Sequence, residues 1–306
     1  MKTMKNETHI EGYVYEHKLE KKVSGEKSKN PGTTYIAGTL SIATDEACTN
    51  VIPVAFTYVT EVTSKGNSNK SYEILEAIIN GKIKTVMADG KEAAGMLRID
   101  SALELNEWYD KEGQLVSVRR NAGGFIHQTN ELCKEDGRAT FETDIVITGC
   151  KRIEANAEKE TPEKMIVKGC IFNFRKELLP MEFTVLHPGA MDYFDSLEAS
   201  TKNPVFTKVK GRQVSQVTVR KIEETSAWGD TSIREVKSSS KDFIINWAQQ
   251  DTYEWDDAST ILASELGEAI ANREIHLADL KKRQDDYQAQ KGSAIPAAPT
   301  KSEYSF

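Results

Sequence analysis

Trp108 and Tyr109 stand side by side, and Arg119 and Arg120 follow ten residues later, within the stretch GMLRIDSALELNEWYDKEGQLVSVRRNAGGFIHQ at Gly95–Gln128. Flat rings and guanidinium groups in this pattern suit non-covalent work on an unpaired nucleic-acid strand. Rings stack on bases, at about 1–3 kcal/mol per base, and cations meet phosphates. Consecutive strand residues point to opposite faces, so one of Trp108 and Tyr109 must leave the core side. Trp108 then either stacks on a base or packs the hairpin edge. Arg119 and Arg120 have the fork geometry for phosphate, and the alternative for both is a solvated strand edge. A second basic set, Lys208, Lys210, Arg212 and Arg220, has even numbers throughout. Regular pairing would put all four on one face, where they form either a phosphate-binding stripe or the polar outer side of an ordinary strand. Phe56 and Tyr58 share a face by the same rule. So do Tyr13 and Tyr15, which either enter the core or form a surface pair.

Covalent chemistry finds no footing. The chain lacks GxxxxGK[ST], GxGxxG, HExxH and GxSxG. His9, His17, His127, His187 and His276 are scattered without a second ligand or nucleophile at recognisable spacing, so no catalytic residue, metal ligand or cofactor is expected. Cys48, Cys133, Cys150 and Cys170 form no CxxC pair, which argues against a zinc ribbon or redox motif. Cys150 and Cys170 lie in apolar runs and read as buried thiols of a reducing compartment. No apolar run is long enough for a membrane helix, and no secretory leader is evident at the start. The expected location is the cytoplasm of a bacterial host.

Positioning those residues needs strands. The 306 residues allow about two domains of roughly 100–200 residues each. His9–His17 alternates, and Tyr35–Thr44 and Val51–Val62 are rich in β-branched and aromatic residues. A polar loop with Lys18, Lys21, Lys22, Lys27 and Lys29 separates the first two. Ser71–Asn80 has helical spacing, with Ser71 as the expected cap and Gly81 as the stop. Met96–Tyr109, Gln114–Arg119, Gly124–Gln128 and Thr140–Ile153 are strands again. The polar stretch 154–164 marks the expected boundary between a first domain at 1–153 and a second at 165–250. The second repeats the layout, with strands at Met165–Arg175, Leu179–His187, Val205–Ile222 and Asp242–Trp247 and a short helix at Ala190–Leu197. Phe172 and Phe174 share a face with Cys170, which points to core packing. Residues 251–290 carry an amphipathic helix that either folds back or mediates self-association, and 291–306 form a flexible tail. The expected fold class is mainly β with α: two barrels of oligonucleotide-binding (OB) type followed by the helix and tail.

The Gly95–Gln128 stretch, a strand meeting a Trp, an Asp-x-x-Gly turn and a return toward Gly-Gly, resembles the fourth and fifth strands of the bacterial single-stranded DNA-binding protein family. The helix at Ser71–Gly81 and the strand at Ile36–Thr44 fall where that family has them, so the resemblance covers roughly residues 9–153. It implies that Trp108 stacks on bases and that the strand carrying Phe56 and Tyr58 supplies a further platform. It also implies a terminal Phe, here Phe306, that engages replication or recombination proteins. This chain departs from the family in the insertion at Lys82–Ala94, the second domain, and a tail whose only acid near Phe306 is Glu303.

Charge sets a limit on this reading. The net charge is −7, poor for a nucleic-acid binder. Residues 251–306 hold eleven acidic and six basic side chains, which leaves the body nearly neutral. A cluster of cations on one face suffices, because affinity follows local phosphate neutralisation. The expected function is sequence-tolerant coating of single-stranded DNA in replication or recombination, of phage or plasmid type. The alternative is a structural, virion-type protein whose β-domains bind other proteins.

Overall fold

The computed structural model describes residues 4–156, 162–225, 231–255, 257 and 260–293. Ten strands form one mixed sheet: β1 (Asn6–Val23), β2 (Thr34–Ala43), β3 (Val51–Thr60), β4 (Met96–Tyr109), β5 (Leu115–Gln128), β6 (Ala139–Ile153), β7 (Lys164–Phe172), β8 (Leu178–Val185), β9 (Val205–Thr225) and β10 (Thr231–Ala248). The helices are α1 (Lys70–Ile79), α2 (Val86–Asp89), α3 (Pro188–Ser196) and α4 (Ala263–Ser293).

The pairing pattern closes two barrels. The first runs β1–β2–β3–β5–β4 and returns to β1, with β3 and β5 parallel where Val54 meets Asn121 and every other pair antiparallel. The second runs β6–β7–β8–β10–β9 and returns to β6, with β8 and β10 parallel at Ile244 and Thr184. In each, a helix joins the third strand to the fourth. This is the five-stranded Greek-key order of the OB-fold, made twice. A further ladder, Asn6–Ile10 against Thr143–Ala139, joins β1 to β6, so the barrels share one hydrogen-bonded backbone.

The other pairings of β6 place the boundary differently from the expected one. Ala139–Ile153 pairs with β7 and β9, so it opens the second barrel rather than ending the first. The polar stretch 154–164 lies between two strands of that second barrel. Alternation shows that a segment is a strand, not which neighbours it will pair with.

Each barrel has its own core, plugged by its helix. Ile10, Val14, Leu40, Val54, Leu97 and Ile99 fill the first, and α1 adds Tyr72, Leu75 and Ile78. Phe141, Ile145, Val167, Phe183, Val209 and Phe243 fill the second, with Met191 and Phe194 from α3. Fully burying a side chain of this kind contributes about 1.5–3 kcal/mol. The α1 cap is Asn69, whose side chain accepts from the Ser71 N–H at 3.1 Å, rather than Ser71 itself. Ser71 Oγ instead accepts the Ile126 N–H at 3.2 Å, fastening the helix to β5. Gly81, at φ +67°, ends the helix as expected.

A third apolar cluster lies outside the barrels. Ile261 and Ala269 pack against Val146, Phe172, Leu178 and Phe206, with Tyr253, Trp255 and Leu266 beside them. So α4 folds back on the second barrel. None of the helices described is long and apolar enough to cross a membrane.

Candidate nucleic-acid interface

The Gly123–Gly124 pair shapes a recess lined by aromatic rings. Their φ angles are +69° and +117°, and the β4–β5 register slips between Asp100 and Ala102 opposite them. A Cβ at Gly124 would stand 2.3 Å from the Asp100 carbonyl oxygen, so only glycine fits this bulge. The bulge bends β5 beside its parallel contact with β3 and leaves Ile126 buried and Phe125 74% exposed.

Phe125 borders a cleft of about 870 Å³ where the two barrels meet. Phe174, 81% exposed, borders it from the β7–β8 turn, and Lys210 borders it from β9. The Arg175 guanidinium lies 5.1 Å from the centre of the Phe174 ring. The Lys210 ammonium lies 5.0 Å from that of Trp247, whose neighbour Asn246 also lines the cleft. Glu7, Asp100 and Glu142 line it too, each with a cationic partner. Glu7 meets Lys5 at 2.7 Å, Asp100 meets Arg98 at 3.2 Å, and Glu142 meets Lys208 at 3.7 Å and Lys210 at 3.4 Å. The recess therefore presents exposed rings beside three carboxylates and one ammonium, with each carboxylate paired to a cation.

The residues singled out in sequence divide among several places. Trp108 is 42% exposed near the tip of the β4–β5 hairpin, away from the cleft lining, and Tyr109 beside it is half-buried. Arg119 reaches across to the second barrel. It donates to the carbonyls of Glu182 and Lys241 and lies 5.1 Å from the Phe243 ring centre, and burial pulls its pKa down. Its hydrogen bonds make it a brace between barrels. Arg120 lines a smaller recess at the same junction, of about 240 Å³, with Asn121, Gln213 and Lys241. There Asn121 Nδ2 donates to Gln213 Oε1 at 2.8 Å.

Phe56 is a correction. It is 2% exposed and belongs to the first core, whereas Tyr58 is 44% exposed. The register slips between Ile36 and Gly38 opposite this stretch, and the bulge puts two residues of one parity on different faces. Tyr58 instead packs against Tyr35, with ring centres 4.5 Å apart. Tyr35 pairs in register with Lys22 of β1, which makes a second aromatic surface with a cation beside it. Tyr13 and Tyr15 are half-exposed, and Tyr13 donates to Glu46 at 3.1 Å. Lys18, Lys21 and Lys22 lie in β1, which runs on to Val23 rather than ending at a loop.

Of the basic stripe, Lys208 and Lys210 share Glu142, and Arg212 is exposed. The side chain of Arg220 lies outside the described residues, as does Phe306. Phe174 departs from the core packing expected of it because β7 ends at Phe172, which is 1% exposed, so the alternation stops there. Sequence reading also passed over Phe125, Arg175, Tyr35 and Trp247. The signals for Phe125 and Trp247 were an aromatic directly after Gly-Gly and one closing a strand. Cys150 and Cys170 are half-buried rather than buried, and burial pushes both thiols up to about 11.

The YorF family model matches residues 5–283. The chain belongs to the YorF family. No curated protein matches this YorF member. Among solved structures it is similar to a deletion mutant of the single-stranded DNA binding protein from Thermus aquaticus, at 12% sequence identity and a TM-score of 0.44, covering 84% of this chain and 98% of that one. The barrel assignment for this YorF chain rests on its own strand pairings.

Proposed function

We propose that this protein binds single-stranded DNA, with the inter-barrel cleft as its principal contact surface. The observation that carries the reading is the set of exposed rings at that cleft, Phe125 and Phe174 at its border and Trp247 adjoining, with Arg175 and Lys210 beside two of them. Apolar rings exposed together at a cleft mark an interaction surface, and bases offer π-faces irrespective of sequence. Two OB barrels on one sheet supply a surface of the right kind. Tyr35 with Tyr58, and Trp108 with Tyr109 and Arg120 on the β4–β5 hairpin, extend the proposed path. Lys208, Lys210 and Arg212 supply its phosphate contacts. With three carboxylates and one ammonium in the cleft wall, each carboxylate already paired to a cation, stacking takes the larger share of affinity.

The test is fluorescence anisotropy of labelled oligo-dT at about 50 and 200 mM salt. Phe125→Ala and Phe174→Ala each remove an exposed ring, so each should weaken binding by about 1–3 kcal/mol without loss of fold. Failure to bind at the lower salt overturns the reading.

A further inference from the structure

His9 and Glu11 are two residues apart on β1 and so lie on the same side of the strand. His9 Nδ1 is 2.9 Å from Asp100 Oδ1, across the ladder on β4. His9 Nε2 is 3.2 Å from Glu11 Oε2. The Glu11 side chain is nearly buried, and its other oxygen accepts the Cys133 N–H. The loop carrying Cys133 is held by Arg138, which is buried and donates through Nε to the Cys133 carbonyl at 2.6 Å. A His9 ring nitrogen, a Glu11 carboxylate oxygen and Cys133 Sγ all lie within 4.8 Å of one another.

Both His9 ring nitrogens face a carboxylate, so a neutral imidazole, with its single N–H, turns one bare lone pair toward an acceptor. Two acceptors facing each other beside a buried carboxylate favour a positive charge between them. An imidazolium can supply it, and so can a metal ion, which in addition gives the sulfur a role.

We propose that His9, Glu11 and Cys133 form a binding site for a divalent transition-metal ion of the zinc class, with Asp100 as the positioning residue for His9. Nitrogen, oxygen and sulfur donors together suit such an ion, and a carboxylate behind the histidine is the common arrangement at zinc sites. Bonds of about 2.0–2.3 Å in tetrahedral geometry place ligand atoms roughly 3.3–3.8 Å apart. The present spacing reaches that by a small movement of Cys133, whose residue is exposed. Binding forms the metal–sulfur bond and releases the thiol proton to solvent. Three protein ligands leave a fourth position for water. Sequence reading set His9 aside as isolated because Cys133 comes from 122 residues beyond Glu11, and only the fold brings them together. This site does not depend on the DNA-binding reading.

The test is titration of the full chain, freed of metal, with Co²⁺. The expected result is one ion per chain, a sulfur-to-cobalt charge-transfer band in the near ultraviolet, and displacement by Zn²⁺. Cys133→Ser should abolish the band, and His9→Gln should weaken binding at least about tenfold. Asp100→Asn should weaken it about 10–100-fold while the band remains. Cys48→Ser should change nothing. In the unsubstituted chain, Zn²⁺ should protect Cys133 from alkylation mapped by mass spectrometry, a readout that needs no variant to fold. Absence of the band, its survival in Cys133→Ser, or alkylation of Cys133 unaffected by Zn²⁺ overturns the proposal.

Discussion

Arg273 of α4 and Glu107 of β4 form a two-pronged ion pair, at 2.6 and 3.1 Å, with side chains only 15% and 6% exposed. The pair spans 166 residues of sequence and fastens the last helix, whose apolar face covers the second barrel, to the hairpin of the first. Arg273 also donates to the Leu178 carbonyl at 3.2 Å. Removing one partner leaves the other charge buried and unpaired, which costs about 3–5 kcal/mol. Arg273→Ala is therefore expected to lower stability by about that amount in urea unfolding, and the pair replaced together should lose less.

Arg119→Ala should act on stability rather than on the salt dependence of DNA binding. Its guanidinium is committed to two carbonyls of the second barrel and to the Phe243 ring. Hydrogen bonds from a charged donor contribute roughly 1.5–3 kcal/mol, so thermal melting should register the loss while the slope of log K against log salt stays put.

That slope itself should be shallow. A single strand gives about −0.7 per phosphate contact, and contacts from Lys208, Lys210 and Arg212 would give a slope of about −2. A much steeper value would point to a basic surface elsewhere.

Gly124→Ala is expected to destabilise by about 3 kcal/mol, since a Cβ there meets the Asp100 carbonyl at 2.3 Å with φ at +117°. Chemical denaturation checks it, and Gly113→Ala, with open space around a turn glycine at φ +75°, should cost less.

Glu46 gives a pH dependence. The Lys91 ammonium, at 2.6 Å, and then the Arg138 guanidinium, at 2.7 Å, hold its carboxyl down to about 2 from an ordinary 4.5. A carboxyl depressed on folding adds stability that is complete above the unfolded value and is lost as pH falls through the folded one. The contribution should therefore disappear between about pH 4.5 and 2, and Glu46→Gln should flatten that limb of the stability curve.

Most strand segments, the short helix of each barrel and the amphipathic last helix were legible in the sequence, because alternation, caps and helical spacing are local properties. The face of Phe56 was not, since it depends on a bulge set by β2. Phe174 was misread for a related reason: parity holds only while the strand continues, and β7 stops two residues earlier. The partners of β6 and the His9–Cys133 approach are products of long-range pairing, which periodicity does not encode. Trp108 came out exposed, as one of two consecutive strand residues near a hairpin tip must, yet the ring-lined cleft lies elsewhere because it needs both barrels.

The ladder between β1 and β6 makes the two barrels one mechanical body, and it changes what a cut in the chain would do. Cleavage between Ile153 and Lys164 separates neighbouring strands of the same barrel, with β6 left on the front fragment and β7 to β10 on the rear one. The fragments would stay clasped through β6, and heating should dismantle intact and nicked protein alike in a single step.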